Sequence, residues 1–342
     1  MKVLYAIQST GNGHLIRAKE IIPFLKRRFD FDVMLSGPKT NLDLGYPIKY
    51  HQRGLTFYFN KSGSINWVKT IFKNNLFQFI KDVLSLPVKD YDLVITDFEP
   101  ISAWACKFRG VLSFGLSNQI TLWQKESPKP KKLFSSSLKY LKYFAPTELE
   151  YGLHYQKFND RIFLPIIRAK LRSLKVTNGG GIVVYLPAYD LKRITKVLSL
   201  FPNVKWTIFS KEINEPKTQG SIRFFPINED HFSKKLAKSD GIITSAGFTT
   251  TSEALFLGKT LLVIPMRGQI EQSFNAQVLK KMGVTVVKEL SIKKSKIIEH
   301  WLENPNVIKV NFENDLNYLV DQIALDYIKI KHKKVLDYKL AQ

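Results

Sequence analysis

Short apolar strands alternate with amphipathic helices along most of the chain, and this alternation restricts the folds that it can adopt. Strands are predicted at residues 2–8, 31–36, 92–96 and 111–116, with helices at 15–28, 67–86 and 100–108. Near-continuous apolar strands separated by helices form a parallel sheet that is covered on both faces. The sequence therefore predicts an α/β fold with a doubly wound parallel sheet.

The same alternation starts again after Gly179, Gly180 and Gly181, which do not suit the interior of a helix or strand. We predict a first domain over 1–174, a linker over 175–181 and a second domain over 182–311. A final helix near 312–328 and a basic tail complete residues 312–342, and that helix is expected to cross back to the first domain. Two such domains in tandem predict a ligand cleft between the carboxyl ends of their strands.

The composition narrows the class of protein further. A chain of 342 residues accommodates two domains, and no apolar run reaches the roughly 18 residues that a membrane span needs. The apolar start is too short for a signal peptide, and the single Cys106 excludes an internal disulfide, so we expect a cytosolic protein. The six histidines show no metal-ligand spacing, and we expect neither a metal nor a cofactor.

The formal net charge of +23 suggests nucleic acid, an anionic membrane or an anionic substrate as partner, unless it reflects a proteome rich in lysine. The segment from Lys125 to Lys142 carries six lysines interleaved with aromatic and aliphatic residues. This pattern suits an interfacial helix on anionic lipid, and equally a loop that folds over an acceptor. No nucleic-acid-binding motif accompanies the charge, so nucleic acid is not expected as a partner.

A run of small and hydroxyl residues follows the predicted strand 241–244 and precedes a helical pattern. A strand-to-helix turn of this kind leaves backbone N–H groups free, and the start of the helix favours a phosphate. Glu253 lies one to two turns into the helix, where its carboxylate can accept two neighbouring sugar hydroxyls. The donor-binding residues predicted from this run are Ser245, Gly247, Phe248, Thr249, Thr250 and Glu253.

A second polar run follows the predicted strand 260–265. Gln269, Glu271 and Gln272 set carboxylate and amide groups side by side, which suits a hexose. Arg267 precedes this run and suits either a sugar carboxylate or solvent. A diphosphate, a ribose and a hexose together describe a nucleotide sugar.

These two runs, in this order, resemble the donor half of GT-B glycosyltransferases. They are similar to the plant-type secondary-product transferases, to the lipid-linked N-acetylglucosamine transferase of cell-wall synthesis, and to a group usually called only "glycosyltransferase family protein". The resemblance covers nearly the whole chain and implies two Rossmann-like domains facing a cleft, with UDP-sugar as donor. It also implies that the base lies against the loop after the predicted strand 222–226, at Phe225 and Ile227.

A glycine loop links the first strand to the first helix and contains Gly11 and Gly13. Dinucleotide binding requires a third small residue, where this chain has Ile16, and an acid after the second strand, where it has Ser36 and Gly37. NAD is therefore not expected. The glycines instead allow a ligand to approach the backbone closely, and Arg17 one turn later suits an anion.

His14 follows this loop, and Asp97 follows the predicted strand 92–96. From the residues alone, His14 suits a helix cap and Asp97 an N-cap or turn. The resemblance implies instead that His14 is the catalytic base and Asp97 the carboxylate that orients it. An imidazole can take a hydroxyl proton at neutral pH, and a carboxylate on its far nitrogen fixes the tautomer. Glu99 is a rival base.

We expect a glycosyltransferase that moves a sugar from a nucleoside diphosphate sugar to a hydroxyl acceptor at the inner face of the cell membrane. A lipid-linked or cell-envelope glycan is the candidate acceptor. Direct displacement would invert the anomeric centre. No Asp-x-Asp follows a strand, so the leaving diphosphate is expected to be neutralised without a metal. Two alternatives stay open at this point: a nucleotide-sugar 2-epimerase of the same fold, and a non-enzymatic protein that binds polyanions.

Overall fold

A computed structural model describes residues 1–10, 12–38, 43–55, 74–127 and 135–340, except for the side chains of 135–137 and 334–340. The first of its two sheets has seven parallel strands in the order β3-β2-β1-β4-β5-β6-β7. The strands are β1 Lys2–Gln8, β2 Asp30–Ser36, β3 Ile48–Gln52, β4 Leu93–Asp97, β5 Ser113–Ser117, β6 Leu149–Leu153 and β7 Ile162–Phe163. The order reverses between β1 and β4, as in a doubly wound fold.

Helices cover both faces of this sheet because its strands are apolar on both sides. In β1, Val3 and Tyr5 belong to one buried cluster, and Leu4 and Ala6 to another on the opposite face. The helices that follow these strands are α1 Asn12–Arg28, α2 Leu76–Ser85, α3 Pro100–Arg109, α4 Ser135–Phe144 and α5 Ala169–Arg172. We call this sheet with its helices the first lobe.

The second sheet has the order β10-β11-β9-β8-β12-β13-β14, and only the edge strand β10 runs antiparallel. Its strands are β8 Ile182–Tyr185, β9 Trp206–Phe209, β10 Lys217–Gln219, β11 Ile222–Phe225, β12 Gly241–Thr244, β13 Thr260–Val263 and β14 Thr285–Val286. Its helices are α6 Leu191–Leu198, α7 Glu229–Lys238, α8 Phe248–Phe256, α9 Ile270–Lys281 and α10 Ser295–Glu303. This sheet and its helices form the second lobe.

The predicted pair of doubly wound parallel sheets is confirmed. The strand predicted at 2–8 has those bounds in the structure, and the three linker glycines lie outside helices and strands. Of the helix predicted at 67–86, the described part is Leu76–Ser85, and residues 67–73 lie outside the described residues. The sheets occupy 2–163 and 182–286, while the domain boundaries stay a prediction. Within the described part of the chain, no helix is both long and apolar enough to cross a bilayer.

A long last helix, α11 Leu316–Leu340, returns from the second lobe to the first. Leu319 and Ile323 are buried in the core that α1 and β1 share, and the Tyr151 hydroxyl donates to Asp326 at 2.9 Å. The expected crossing is therefore confirmed, although the helix begins at 316 rather than 312. The residues directly before it lie outside helices and strands, and the carbonyl of Phe312 accepts a hydrogen bond from Arg172.

Candidate active site

A cleft of about 920 Å³ lies between the two lobes, at the carboxyl ends of both sets of strands. Residues from the β1–α1 loop line one wall, and residues from the β12–α8 and β13–α9 loops line the other. Each wall thus stands where the strand order of its sheet reverses. Open α/β sheets bind ligands at such points because the loops there diverge and leave a crevice.

His14 and Asp97 meet on the wall of the first lobe. The register of the sheet pairs Ile7 with Asp97, so the aspartate ends its strand beside the loop that leads into α1. Nδ1 of His14 lies 2.8 Å from Oδ1 of Asp97, and the carboxylate is fully buried while the imidazole is partly exposed to the cleft. This contact leaves Nε2 of His14 as the nitrogen available to a ligand.

Arg17 holds the same carboxylate from its other side, an arrangement that sequence reasoning missed. Nε of Arg17 donates to Oδ2 of Asp97 at 3.1 Å, and Nη1 donates to Oδ1 of Asn118 at 3.1 Å. Burial acts to raise the pKa of Asp97, but the charges of Arg17 and His14 hold it below its ordinary value. The donor groups of Arg17 are therefore used by Asp97 and Asn118 and are not available to an incoming anion, contrary to its predicted role.

The residues after Asp97 show why Glu99 does not act as the base. Both carboxylate oxygens of Glu99 accept from backbone N–H groups of the first turn of α3, those of Ile101 at 2.8 Å and Ser102 at 2.7 Å. The side chain is fully buried. Glu99 is the N-cap of α3, and both oxygens of its carboxylate are hydrogen-bonded in that role. The expectation that it rivals His14 is wrong.

Phe98, between these two acids, has a left-handed backbone with φ of 55°. A bulky residue rarely adopts this conformation, and such strain is concentrated at functional sites. The Phe98 ring packs against Phe144 with centroids 5.0 Å apart. The strained turn lets Asp97 point toward His14 while Glu99 turns back to cap α3.

The β12–α8 loop forms the facing wall. Gly247 precedes α8, and within the described chain no side chain caps this helix, so the N–H groups of its first turn stay open to a ligand. Asn275 fixes the loop by donating to the carbonyl of Ala246 at 3.0 Å. The cleft is lined here by Ser245, Gly247, Phe248, Thr249 and Thr250, as the sequence predicted.

The glycine loop approaches this wall closely. A Cβ at Gly13 would stand only 3.1 Å from Oγ1 of Thr249, so a side chain there would crowd Thr249 on the facing wall. Gly13 lines the cleft. Gly11, the other glycine predicted to contact the donor, lies outside the described residues.

Glu253 lines the cleft but carries a partner that the sequence did not reveal. Its two carboxylate oxygens accept from Nε and Nη2 of Arg168 at 2.6 and 2.7 Å, and Nη1 of Arg168 donates to Glu229 at 2.7 Å. Burial acts to lower the pKa of Arg168, but hydrogen bonds and charge from Glu253 raise it. The guanidinium stays charged, so Glu253 offers sugar hydroxyls only the lone pairs that Arg168 leaves.

Gln269, Glu271 and Gln272 also line the cleft. Glu271 accepts from two amides of the first lobe, those of Asn118 and Gln119, at 2.9 Å each. Gln272 accepts instead from the backbone N–H of Met266 at 2.9 Å, which ties it to its own loop. Outside this group, Arg267 pairs with Glu289 at 2.9 Å and is largely exposed.

The loop predicted to hold the base is only partly placed as expected. Ile227 lines the cleft, whereas Phe225 lies outside the described set of lining residues and stacks on Phe209 with centroids 5.7 Å apart. Tyr185, Phe209 and Phe232 line this end of the cleft and were not predicted. Their signal in the sequence is weak because aromatic residues at strand ends are usually core residues.

Part of the cleft is apolar. Its lining there includes Phe98, Leu122, Leu141 and Phe144. Among the described residues, no group of three or more His, Cys, Asp or Glu side chains is arranged to hold a metal ion.

Comparisons with known proteins agree with this architecture. The family model described as "Glycosyl transferase family 1" matches residues 1–305. A curated relative, an uncharacterized glycosyltransferase of Methanosarcina acetivorans, is 26% identical over 132 residues, which is 37% of this chain and 33% of that protein. The match thus spans about a third of the relative's length.

Solved structures share the fold at low identity. Phytolacca americana UGT2, complexed with UDP-2fluoro-glucose and pterostilbene, aligns with a TM-score of 0.58 at 13% identity, covering 93% of this chain and 91% of its own. Acinetobacter baumannii MurG aligns at 0.53 and 15%, covering 89% and 90%. A UDP-N-acetylglucosamine 2-epimerase aligns at 0.56 and 14%, covering 96% of each chain. At these identities the likeness concerns the fold, which is GT-B.

Proposed function

The chain belongs to glycosyl transferase family 1, and from that premise we propose that it transfers a sugar from a nucleoside diphosphate sugar to a hydroxyl acceptor. The observation that carries the proposal is the His14–Asp97 pair, which faces the uncapped start of α8 across the cleft. A base on one wall and an anion site on the other are the two parts that such a displacement needs.

The donor lies mainly on the second lobe. Its diphosphate binds the N–H groups at the start of α8 and the hydroxyls of Ser245, Thr249 and Thr250, where the helix dipole adds about half a positive charge. Its ribose binds Glu253, and its sugar binds Glu271. The base fits the aromatic end of the cleft near Ile227, and we propose UDP as the nucleotide.

The chemistry follows from the tautomer of His14. With Nδ1–H donating to Asp97, Nε2 carries the lone pair that takes the proton of the acceptor hydroxyl. The hydroxyl oxygen attacks the anomeric carbon from the side opposite the diphosphate, so the configuration inverts. Arg17 balances the charge of Asp97 and donates to both of its oxygens, which holds the carboxylate in place beside His14. The start of α8 stabilises the leaving diphosphate, and the reaction is metal-independent.

We further propose that the protein is cytoplasmic and binds the anionic membrane surface peripherally. In the segment from Lys125 to Lys142, residues 128–134 lie outside the described residues, but Lys139, Lys142 and Tyr143 are exposed on α4. The helix α2 of the same lobe exposes a large apolar side chain, Phe77, at 79%. Lysines together with bulky apolar residues on the surface of one lobe suit anionic lipid.

The test is a panel of nucleotides and sugar nucleotides, measured by thermal shift and then by transfer. Binding should raise the melting temperature with UDP and UDP-sugars, because a ligand stabilises the state that binds it. His14→Ala should cut the transfer rate by about 10²–10⁴-fold and leave the UDP-induced shift unchanged. Full activity in folded His14→Ala, or an epimerised sugar nucleotide formed without acceptor, would contradict the proposal.

A further inference from the structure

Two side-chain amides reach from the first lobe to the second directly beneath the catalytic pair. Asn118 and Gln119 follow the end of β5 and are both buried. Nδ2 of Asn118 donates to Oε1 of Glu271, and Nε2 of Gln119 donates to Oε2 of the same carboxylate, each at 2.9 Å. One carboxylate of the second lobe is thus held at both oxygens by the first.

The same amides also connect to the catalytic pair, Gln119 directly and Asn118 through Arg17. Oδ1 of Asn118 accepts from Arg17, which in turn holds Asp97. Nε2 of Gln119 lies 3.5 Å from Nε2 of His14, the imidazole nitrogen that Asp97 leaves free. Gln119 is therefore beside both the base and the carboxylate that we assign to the donor sugar.

A second atom of Gln119 points to a ligand. Its Oε1 is buried and has no hydrogen-bond partner among the described residues, although the side chain lines the cleft. Buried polar atoms are nearly always paired in native proteins. An unpaired amide oxygen on a side chain that lines the cleft, and whose other amide atom lies beside His14, therefore points to a hydroxyl group of a ligand as its partner.

We propose that Gln119 binds the acceptor hydroxyl and aligns it with Nε2 of His14, while Asn118 and Gln119 together fix its distance from the donor sugar at Glu271. The inference rests on the proposed function and adds the residue that orients the attacking group. The hydroxyl oxygen accepts an N–H of Gln119 and directs its own proton to His14, and Oε1 accepts from a neighbouring hydroxyl of the acceptor.

The bonds of the step balance. The hydroxyl oxygen forms a bond to the anomeric carbon, and the bond from that carbon to the diphosphate oxygen breaks. The electron pair of the broken bond leaves with the nucleoside diphosphate. The hydroxyl proton passes to Nε2 of His14, which later releases it to solvent.

The decisive variant is Gln119→Met, which keeps the length of the side chain and removes its amide. Its matched control is Gln124→Met, since Gln124 makes an amide–carboxylate contact to Glu150 at 3.3 Å away from the described cleft lining. Transfer from UDP-glucose and UDP-N-acetylglucosamine to n-octanol and 4-nitrophenol is measured beside donor hydrolysis by water. A loss of alignment of about 1 Å predicts a fall in transfer kcat of about 100-fold in Gln119→Met, and none in Gln124→Met.

The ratio of transfer to hydrolysis separates orientation from a general structural role. It should fall in Gln119→Met, because water reaches the anomeric carbon without being oriented by the amide, whereas a structural defect would slow both reactions together. Gln119→Glu, which retains the size of the side chain, is measured in the same way and should show the same fall.

The outcomes distinguish this inference from the function on which it rests. Gln119→Met and Gln119→Glu that transfer at the wild-type rate overturn the role of Gln119 and leave the proposed function standing. A wild-type protein that binds no UDP and transfers no sugar to either probe acceptor overturns both.

Discussion

The buried contact between Arg17 and Asp97 predicts a large and specific loss of stability in Arg17→Met. Arg17 is 5% exposed and Asp97 is fully buried, so the substitution leaves a carboxylate in the interior with the His14 imidazole as its remaining hydrogen-bond partner among the described side chains. Removing one member of a buried ion pair costs about 3–5 kcal/mol. The free energy of unfolding of protein domains is roughly 5–15 kcal/mol, so the variant should still fold but lose a large part of that free energy.

Urea unfolding at neutral pH measures this loss, and a double-mutant cycle assigns it. The double variant Arg17→Met/Asp97→Asn removes both charges. Its loss of unfolding free energy should be smaller than the sum of the losses of the two single variants by at least ~2 kcal/mol. Arg28→Met is the matched control on the same helix, because Arg28 pairs with Asp321 at 3.4 Å on the surface, and its loss should stay within about 1 kcal/mol. Additive single losses, or a loss below about 1 kcal/mol in Arg17→Met, would refute the reasoning.

The lowered pKa of Asp97 fixes the sign of the acid dependence. Its ionised form stabilises the folded state above the unfolded pKa of about 3.9, and this contribution disappears as the pH falls through the lower folded value. The unfolding free energy of the wild type should therefore fall more steeply below about pH 4 than that of Asp97→Asn.

Two further predictions concern the donor and the membrane. Glu253→Gln should weaken UDP binding by about 1.5–3 kcal/mol in calorimetry, which is the value for a hydrogen bond to a charged group. Glu229→Gln is the control, because it changes the other carboxylate partner of Arg168, and it should leave UDP affinity unchanged. Equal UDP affinities of the two variants would contradict the assignment of the ribose to Glu253. Binding of the protein to lipid vesicles should increase with the fraction of anionic lipid. Lys142→Gln should weaken this binding by about 1 kcal/mol, whereas Lys192→Gln on the second lobe should leave it unchanged. Binding that is the same for neutral and anionic vesicles would contradict the membrane proposal.

The sequence predicted those features of the fold and site that depend on local pattern. Strand β1 was predicted with its observed bounds because its apolar run is bounded by polar residues on both sides. That deduction needs only the period of a strand and its apolar pattern. The pairing of His14 with Asp97 was instead implied by the resemblance to GT-B glycosyltransferases, and the structure gives its physical basis: the strands that precede the two residues are adjacent and end at the same edge of one sheet.

Contacts between the lobes were not predictable in the same way. Arg168 meets Glu253 across 85 positions of sequence, and Glu271 meets Asn118 across 153. Each pair depends on the rotation of one lobe against the other, which no local pattern encodes. Phe225 shows that the orientation of a single side chain is also hard to predict. The direction in which this side chain points at the end of its strand decides whether it reaches a ligand or packs on Phe209.

The return of α11 to the first lobe has a mechanical consequence. The chain crosses between the lobes twice, once through residues 164–181 and again through 304–315. Two bodies joined by one tether can swivel freely, but two tethers at separate points leave a single axis, through both crossings, about which they bend. We therefore expect the cleft to open by a hinge motion about this axis, which would move Gly13 and Thr249 apart. Cutting the second tether would convert that hinge into a swivel without changing any residue in the cleft.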